Sequence, residues 1–380
     1  GKSAPGRAAR NGAKSMISPE RALNLACELQ QIPAPTFQEK ERAEYVRQRF
    51  VQIGLTAVEI DAVGNTWGCL PGDNHRPLVV SAHLDTVHPE GRPVPLSREP
   101  ARITGPAIGD NALGMAALIC LAEEFTASQI CLPGPVYFIA TVGEEGIGNL
   151  AGMQAVVNRL GDQPIAYIVL EGIGLGSIYH RALGVERFKI TVETPGGHSW
   201  ADYGTPSAIH ELAQIITRLS TLKYPTYPRT TMNIGTIQGG TSVNTIAGQA
   251  SCTLDIRSEN HGTLLKTVGR ITRIVAEYQR ADIHINFESI GSRPAGELPD
   301  QHPLVQLAVD CLAQVGVPAY PGVGSTDANI PLSRGYAAVC IGITHGGFAH
   351  TANEYILTKP VAQGLNQLFL LVQRAWEIDI

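Results

Sequence analysis

No apolar run in this 380-residue chain approaches the roughly 20 residues needed to cross a bilayer, and Met115–Leu121 has only the length of a short helix core. A basic block is missing as well. With 29 Lys and Arg against 34 Asp and Glu the net charge is −5, so no nucleic-acid footprint is expected. The seven cysteines are an odd number, scattered without CxxC spacing, which points to reduced thiols and a cytoplasmic setting. No Ser or Cys lies in a nucleophile elbow or other triad motif. Gly172, Gly174 and Gly176 follow a strand-like run, but at the wrong spacing for a dinucleotide fingerprint. The first fifteen residues carry Lys2, Arg7, Arg10 and Lys14 and no acid, and they lack the apolar stretch of a secretory signal. They are expected to be a disordered tail or an added leader ahead of Met16, with a transit peptide as the alternative. What remains is the composition of an ordinary soluble globular protein, 44% apolar and 17% charged, long enough for two domains.

Continuous apolar runs at Leu78–Ala82, Val136–Val142, Ile165–Leu170 and Ala337–Ile343 read as buried strands, and Thr56–Ile60 as a further strand. Helical patterns at Ala112–Thr126, Leu150–Leu160 and Pro303–Gln314 alternate with them. Two more precede, one opened by Ser18-Pro19-Glu20 and one over Gln38–Ile53. This predicts an α/β fold, a mostly parallel sheet with helices on both faces. Between about Leu183 and Ser292 the order becomes strand, helix, strand, strand, helix, strand, which is the ferredoxin-like signature. An α+β unit over 183–292 is therefore expected as an insertion in a catalytic domain formed by 16–182 and 293–380.

In Gly143-Glu144-Glu145-Gly146, two adjacent carboxylates end a buried strand, and open α/β sheets bind ligands at such strand ends. Neighbouring residues of an extended segment point in opposite directions, so one carboxylate can hold a metal while the other faces a water. Four further segments supply donors. His83 ends a strand, and Asp85 two residues later can accept its second ring N–H. Asp110 opens a helix, Glu171 ends the strand Ala166–Leu170, and His350 lies in a Gly-rich loop. Taken singly, each has a plain structural explanation. Together, two imidazoles and three carboxylates, with a carboxylate to spare, suit zinc, cobalt or manganese rather than calcium. One catalytic zinc usually takes three protein ligands. Five donors with one bridging carboxylate therefore suggest two ions, held roughly 3.5–4 Å apart in two-metal hydrolases.

The order His-x-Asp, Asp-Asn, Glu-Glu, Glu and a late His resembles the metallopeptidase family of peptidase T, carboxypeptidase G and acetylornithine deacetylase, over essentially the whole chain after Met16. The resemblance implies that His83 and Glu171 hold one ion, Glu145 and His350 the other, and that Asp110 bridges them. It makes Asp85 the residue that orients His83, and Glu144 the general base. Family members carry Asp or Glu at the position of Glu171. His198, in Gly196-Gly197-His198-Ser199, matches the lid histidine that stabilises the developing oxyanion. Asn244 and Arg257 match positions that bind the substrate's backbone or carboxylate, and an Arg fork suits a carboxylate. Ser325-Thr326-Asp327 resembles a loop near the site and receives no role. A cis peptide between Asp110 and Asn111 is also implied.

The reading is a cytoplasmic two-zinc amide hydrolase, with Co(2+) or Mn(2+) possible, most simply an exopeptidase on short peptides. The alternatives are an N-acyl-amino-acid deacylase or carboxypeptidase of the same family and, remotely, a non-catalytic binding protein. The last would fit better had Glu144 or a ligand been lost. Family members with a lid of this size pair through it, so a homodimer is expected, with His198 serving the partner's site.

Overall fold

In the computed structural model, residues 17–89, 91 and 94–379 are described. The leader expected over residues 1–15 lies outside them, as does Met16. Among the described residues the main sheet has nine strands. Its centre is parallel: Val136–Thr141, Leu78–His83, Ala166–Ile173 and Ala338–Thr344 lie side by side in that order. These are the apolar runs of the sequence, and most of their residues are inaccessible to solvent, as strands covered on both faces require. The edges are antiparallel. Thr66–Leu70 and Thr56–Ile60 continue one side, and Ser177–Ala182 runs against Ala338–Thr344 on the other. Tyr320–Gly324 pairs in parallel with Ser177–Ala182.

Three of these strands escape the sequence reading. Thr66–Leu70 carries Gly68, an unusual strand residue, which is held there because a Cβ would strike Leu55 and Phe50 at 2.7 and 2.9 Å. Ser177–Ala182 holds His180 and Arg181, and Tyr320–Gly324 holds Pro321 and two glycines, so neither shows an apolar run. Two boundaries are corrected. The helix expected from Ala112 starts at Gly114, behind an irregular turn over Ile108–Leu113 in which Asp110 and Asn111 leave helical angles. The strand expected to end at Leu170 runs on to Ile173, so Glu171 projects from within it.

The segment between residues 184 and 293 forms a separate antiparallel sheet, in the order Thr230–Gly239, Gln249–Ser258, Gly184–Glu193, His284–Arg293. The helices Ala208–Ser220 and His261–Ala276 cover it, completing the ferredoxin-like arrangement. Its buried apolar residues, among them Ile190, Leu212, Leu254 and Ile271, form a cluster distinct from the core of the main sheet. Among the described residues no helix is long and apolar enough to cross a membrane.

Candidate metal centre

The donors converge at the carboxyl ends of the parallel strands. His83 is the last residue of its strand. Its Nδ1 lies 3.0 Å from the peptide oxygen of Asp85 and 3.4 Å from that residue's Oδ1. Both are acceptors, so Nδ1 carries the proton and the lone pair of the neutral ring sits on Nε2. That Nε2 faces Asp110 Oδ1 at 3.0 Å and Glu171 Oε2 at 3.6 Å. The second oxygen of Asp110 lies 3.0 Å from His350 Nε2, which is also 3.3 Å from Glu145 Oε1. Asp110 therefore turns one oxygen to each imidazole. Three donor groups have atoms all within 4.8 Å of one another: His83, Asp110 and Glu171; Asp110, Glu145 and His350; and His83 with Glu144 and Glu145.

The backbone explains how these residues stay together. Asp85 is buried, and its carboxylate accepts the peptide N–H groups of Glu144 (3.0 Å) and Glu145 (2.9 Å) and the hydroxyl of Thr36 (2.8 Å). It thus anchors the Glu pair as well as the His83 ring. Asn111, buried and following a cis peptide from Asp110, bonds the strand on either side of Glu171. Its Nδ2 donates to Leu170 O and its Oδ1 accepts from Gly172 N, both at 2.9 Å. Gly172 is required at this contact, since a Cβ would come within 2.1 Å of Gly109 O.

Charge is crowded here. Burial works against the charged ring of His83, but the nearby carboxylates of Glu171, Asp110 and Asp85 outweigh it and hold its pKa well above the usual imidazole value. Burial pushes Glu171 up to about 7 and Glu144 well above the ordinary carboxylate range, with His83 opposing in both cases. The contacts with Asp110 and Glu145 raise His350 to about 10. Burial of Asp110 is overcome by its two histidine partners, which lower its pKa. His83 Nε2 and Glu145 Oε1 are buried with no hydrogen-bond partner among the described residues. Two imidazoles and four carboxylates clustered within a few ångströms, with buried donor atoms left unpaired, fit divalent cations such as zinc.

The cavity, about 390 Å³, is lined by Asp110, Glu144, Glu145, Glu171 and His350 and also by Arg187, Arg257 and Arg293. Arg257 and Arg187 share the carboxylate of Asp255, at 2.6 and 3.0 Å. Arg293, absent from the sequence reading, is buried against Glu144. Its Nη1 lies 3.3 Å from Glu144 Oε1, and Nη2 donates to that residue's carbonyl. Arg187 Nη1 donates to Gly146 O at 2.7 Å. His198 and Asn244 are exposed on the side of the inserted sheet, and neither is among the described residues lining the cavity. His198 Nδ1 accepts the peptide N–H groups of Trp200 (3.2 Å) and Ala201 (3.4 Å), so its proton sits on the outward Nε2.

A family model described as "Peptidase family M20/M25/M40" matches residues 79–374. Among solved structures, the chain resembles a tripeptidase from Staphylococcus aureus (TM-score 0.80, 22% identity, 95% of this chain and 100% of that one). It also resembles aminopeptidase PepT from Bacillus cereus (TM-score 0.77, 22% identity, the same coverage). A third likeness is the Bacillus subtilis YXEP protein, described as a dinuclear metal-binding peptidase (TM-score 0.69, 17% identity, 94% of this chain and 98% of that one).

Proposed function

The chain belongs to peptidase family M20/M25/M40 and is a hydrolase of the metallopeptidase or amidohydrolase kind, and from that premise we propose that it is a two-zinc exopeptidase acting on short peptides. The observation that carries the reading is the split of Asp110 between His83 and His350. In this reading His83 and Glu171 would hold one ion and Glu145 and His350 the second, with Asp110 shared between the two sites. Bound ions supply Lewis acidity and lower the pKa of water at the centre. Glu144, aimed by Arg293 and by the Asp85 bond to its peptide N–H, takes the water's proton and returns it to the leaving amine. Asp85 fixes the His83 tautomer that presents Nε2 to an ion.

Residues 183–292 act as a lid that carries substrate contacts, with 16–182 and 293–380 as the catalytic domain. Arg257, beside Arg187 across Asp255, offers guanidinium N–H groups to a substrate carboxylate, and Asn244, which lies outside the cavity of its own chain beside His198, is assigned to the substrate's backbone or carboxylate. The paired arginines favour substrates with a free carboxylate. They also keep a second reading, an N-acyl-amino-acid deacylase or carboxypeptidase built on the same centre. A mass-spectrometric screen of the zinc-loaded protein against di- and tripeptides, N-acyl amino acids and end-blocked versions separates the two. Di- and tripeptides with both ends free should be cleaved fastest. Failure to cleave any amide would end the proposal, and equal rates on carboxyl-amidated peptides would remove the role of Arg257.

His198 is assigned to the oxyanion, which its outward Nε2–H suits, but it lies outside the cavity of its own chain. We therefore place it in the active site of a second copy, in a C₂ dimer formed through the inserted sheet, whose outer strands Thr230–Gly239 and His284–Arg293 have a free edge among the described residues. Loss of one oxyanion donor costs about 10²–10³-fold in turnover. Mixing impaired His198→Ala chains with impaired Glu144→Ala chains under subunit exchange should restore activity, because a mixed dimer regains one complete site. No recovery despite proven exchange, or a monomer in light scattering, would remove the claim.

A further inference from the structure

Glu354 follows His350 by four residues and directly precedes the strand Tyr355–Leu357. It is fully buried. Its Oε1 accepts the peptide N–H groups of Gly109 and Asp110, each at 2.7 Å, and burial pushes its pKa up to about 7 against these bonds. Its own carbonyl accepts Gly105 N at 2.8 Å. Oε2 is buried with no hydrogen-bond partner among the described residues. One side chain thus joins two loops whose ligands stand 240 residues apart in the chain.

Both loops take backbone conformations that local sequence disfavours. Ala107 has φ 58°, Phe348 has φ 55° and His350 has φ 67°, all left-handed in non-glycine residues. Such angles persist only where the surroundings enforce them. The backbone of the two segments is also joined by a short antiparallel pairing of Tyr355–Leu357 with Arg102–Thr104. It fixes where the strands run, not the path of the turns beyond their ends.

We propose that Glu354 is a positioning residue for the second ion, setting Asp110 and His350 at the spacing that a site completed by Glu145 requires. The proposal rests on the two-ion reading above. Glu354 bonds the backbone of the ligand loops rather than the ligand side chains, so it governs where the donors stand. The first ion keeps His83 and Glu171, which are anchored by the main sheet and by Asn111, and depends on Glu354 less.

The test is the zinc stoichiometry and the two stepwise affinities of Glu354→Ala and Glu354→Gln, measured by competition with a chromophoric chelator beside a thermal melt. The wild-type chain should take up two ions. Glu354→Ala should weaken the second by about 10–100-fold, the range for residues that orient metal ligands, and change the first by much less. Glu354→Gln keeps an oxygen for both N–H groups and should recover most of the loss. Unchanged binding of both ions by Glu354→Ala overturns the proposal, as does equal weakening of both ions without rescue by Gln. If Glu354→Ala does not fold, Glu354→Asp decides. It draws the carboxylate back by one methylene and should weaken the second ion selectively, and wild-type affinities in that variant overturn the proposal. Uptake of one ion by the wild type would instead overturn the two-ion reading, and this proposal with it.

Discussion

Stripped of divalent metal by a chelator and freed of it by dialysis, the protein is expected to lose amide hydrolysis altogether. Zinc or cobalt should restore it as binding approaches two ions per chain. The expectation rests on donor arithmetic. A single catalytic zinc takes three protein ligands, whereas five residues converge here and Asp110 turns an oxygen to each half of the set. Without cations the four carboxylates repel one another inside a buried site, which is part of what pushes Glu171 up to about 7. Elemental analysis and a rate assay on the same samples decide the matter. Hydrolysis that survives thorough metal removal would end the reading.

Glu144→Ala should keep its metal and lose roughly 10²–10⁴-fold in turnover, the span for general acid–base catalysis. Glu145→Ala should instead lose metal. The two residues are adjacent, and their peptide N–H groups share Asp85, so their surroundings must distinguish them. Glu145 Oε1 lies 3.3 Å from His350 and has no hydrogen-bond partner among the described residues. Glu144 Oε1 is held by Arg293. Glu144 can also be grouped with His83 and Glu145 as a donor set, so the contrast between the variants is informative. Reversed phenotypes would exchange the two roles.

The parallel centre of the sheet was legible because its strands are buried on both faces and so appear as unbroken apolar runs. The insertion was legible because its strands and helices alternate in a distinctive order. Among the donors, His83 and the Glu pair stand out at strand ends, while Asp110 and His350 stand out only in combination with them. Apart from Asp85, the supports of the site were not legible. Arg293 meets Glu144 across 149 residues, Asn111 meets Gly172 across 61 and Glu354 meets Gly109 across 245, and no local pattern marks such contacts. Glu171 reads as a strand end because the apolar run stops at Leu170 and Gly172 follows. The Asn111 side chain instead bonds the strand on both sides of Glu171, and the strand continues to Ile173. Thr66–Leu70, Ser177–Ala182 and Tyr320–Gly324 escape for a different reason, since their polar residues and glycines are fixed by neighbours rather than by an apolar face.

The two apolar cores have no buried residue in common, while two arginine contacts, Arg187 to Gly146 and Arg293 to Glu144, join the inserted sheet to the loop that carries the Glu pair. Sequence drift inside the second core, repacking Ile190 against Leu254 or Ile271 against Leu264, leaves the donor cluster untouched as long as those guanidinium groups keep their anchors. The interior of the insertion is therefore tied to the donor cluster through polar anchors rather than through a shared apolar core. Two chains of common ancestry can differ in what they admit to the cavity while retaining the same arrangement of donors beneath it.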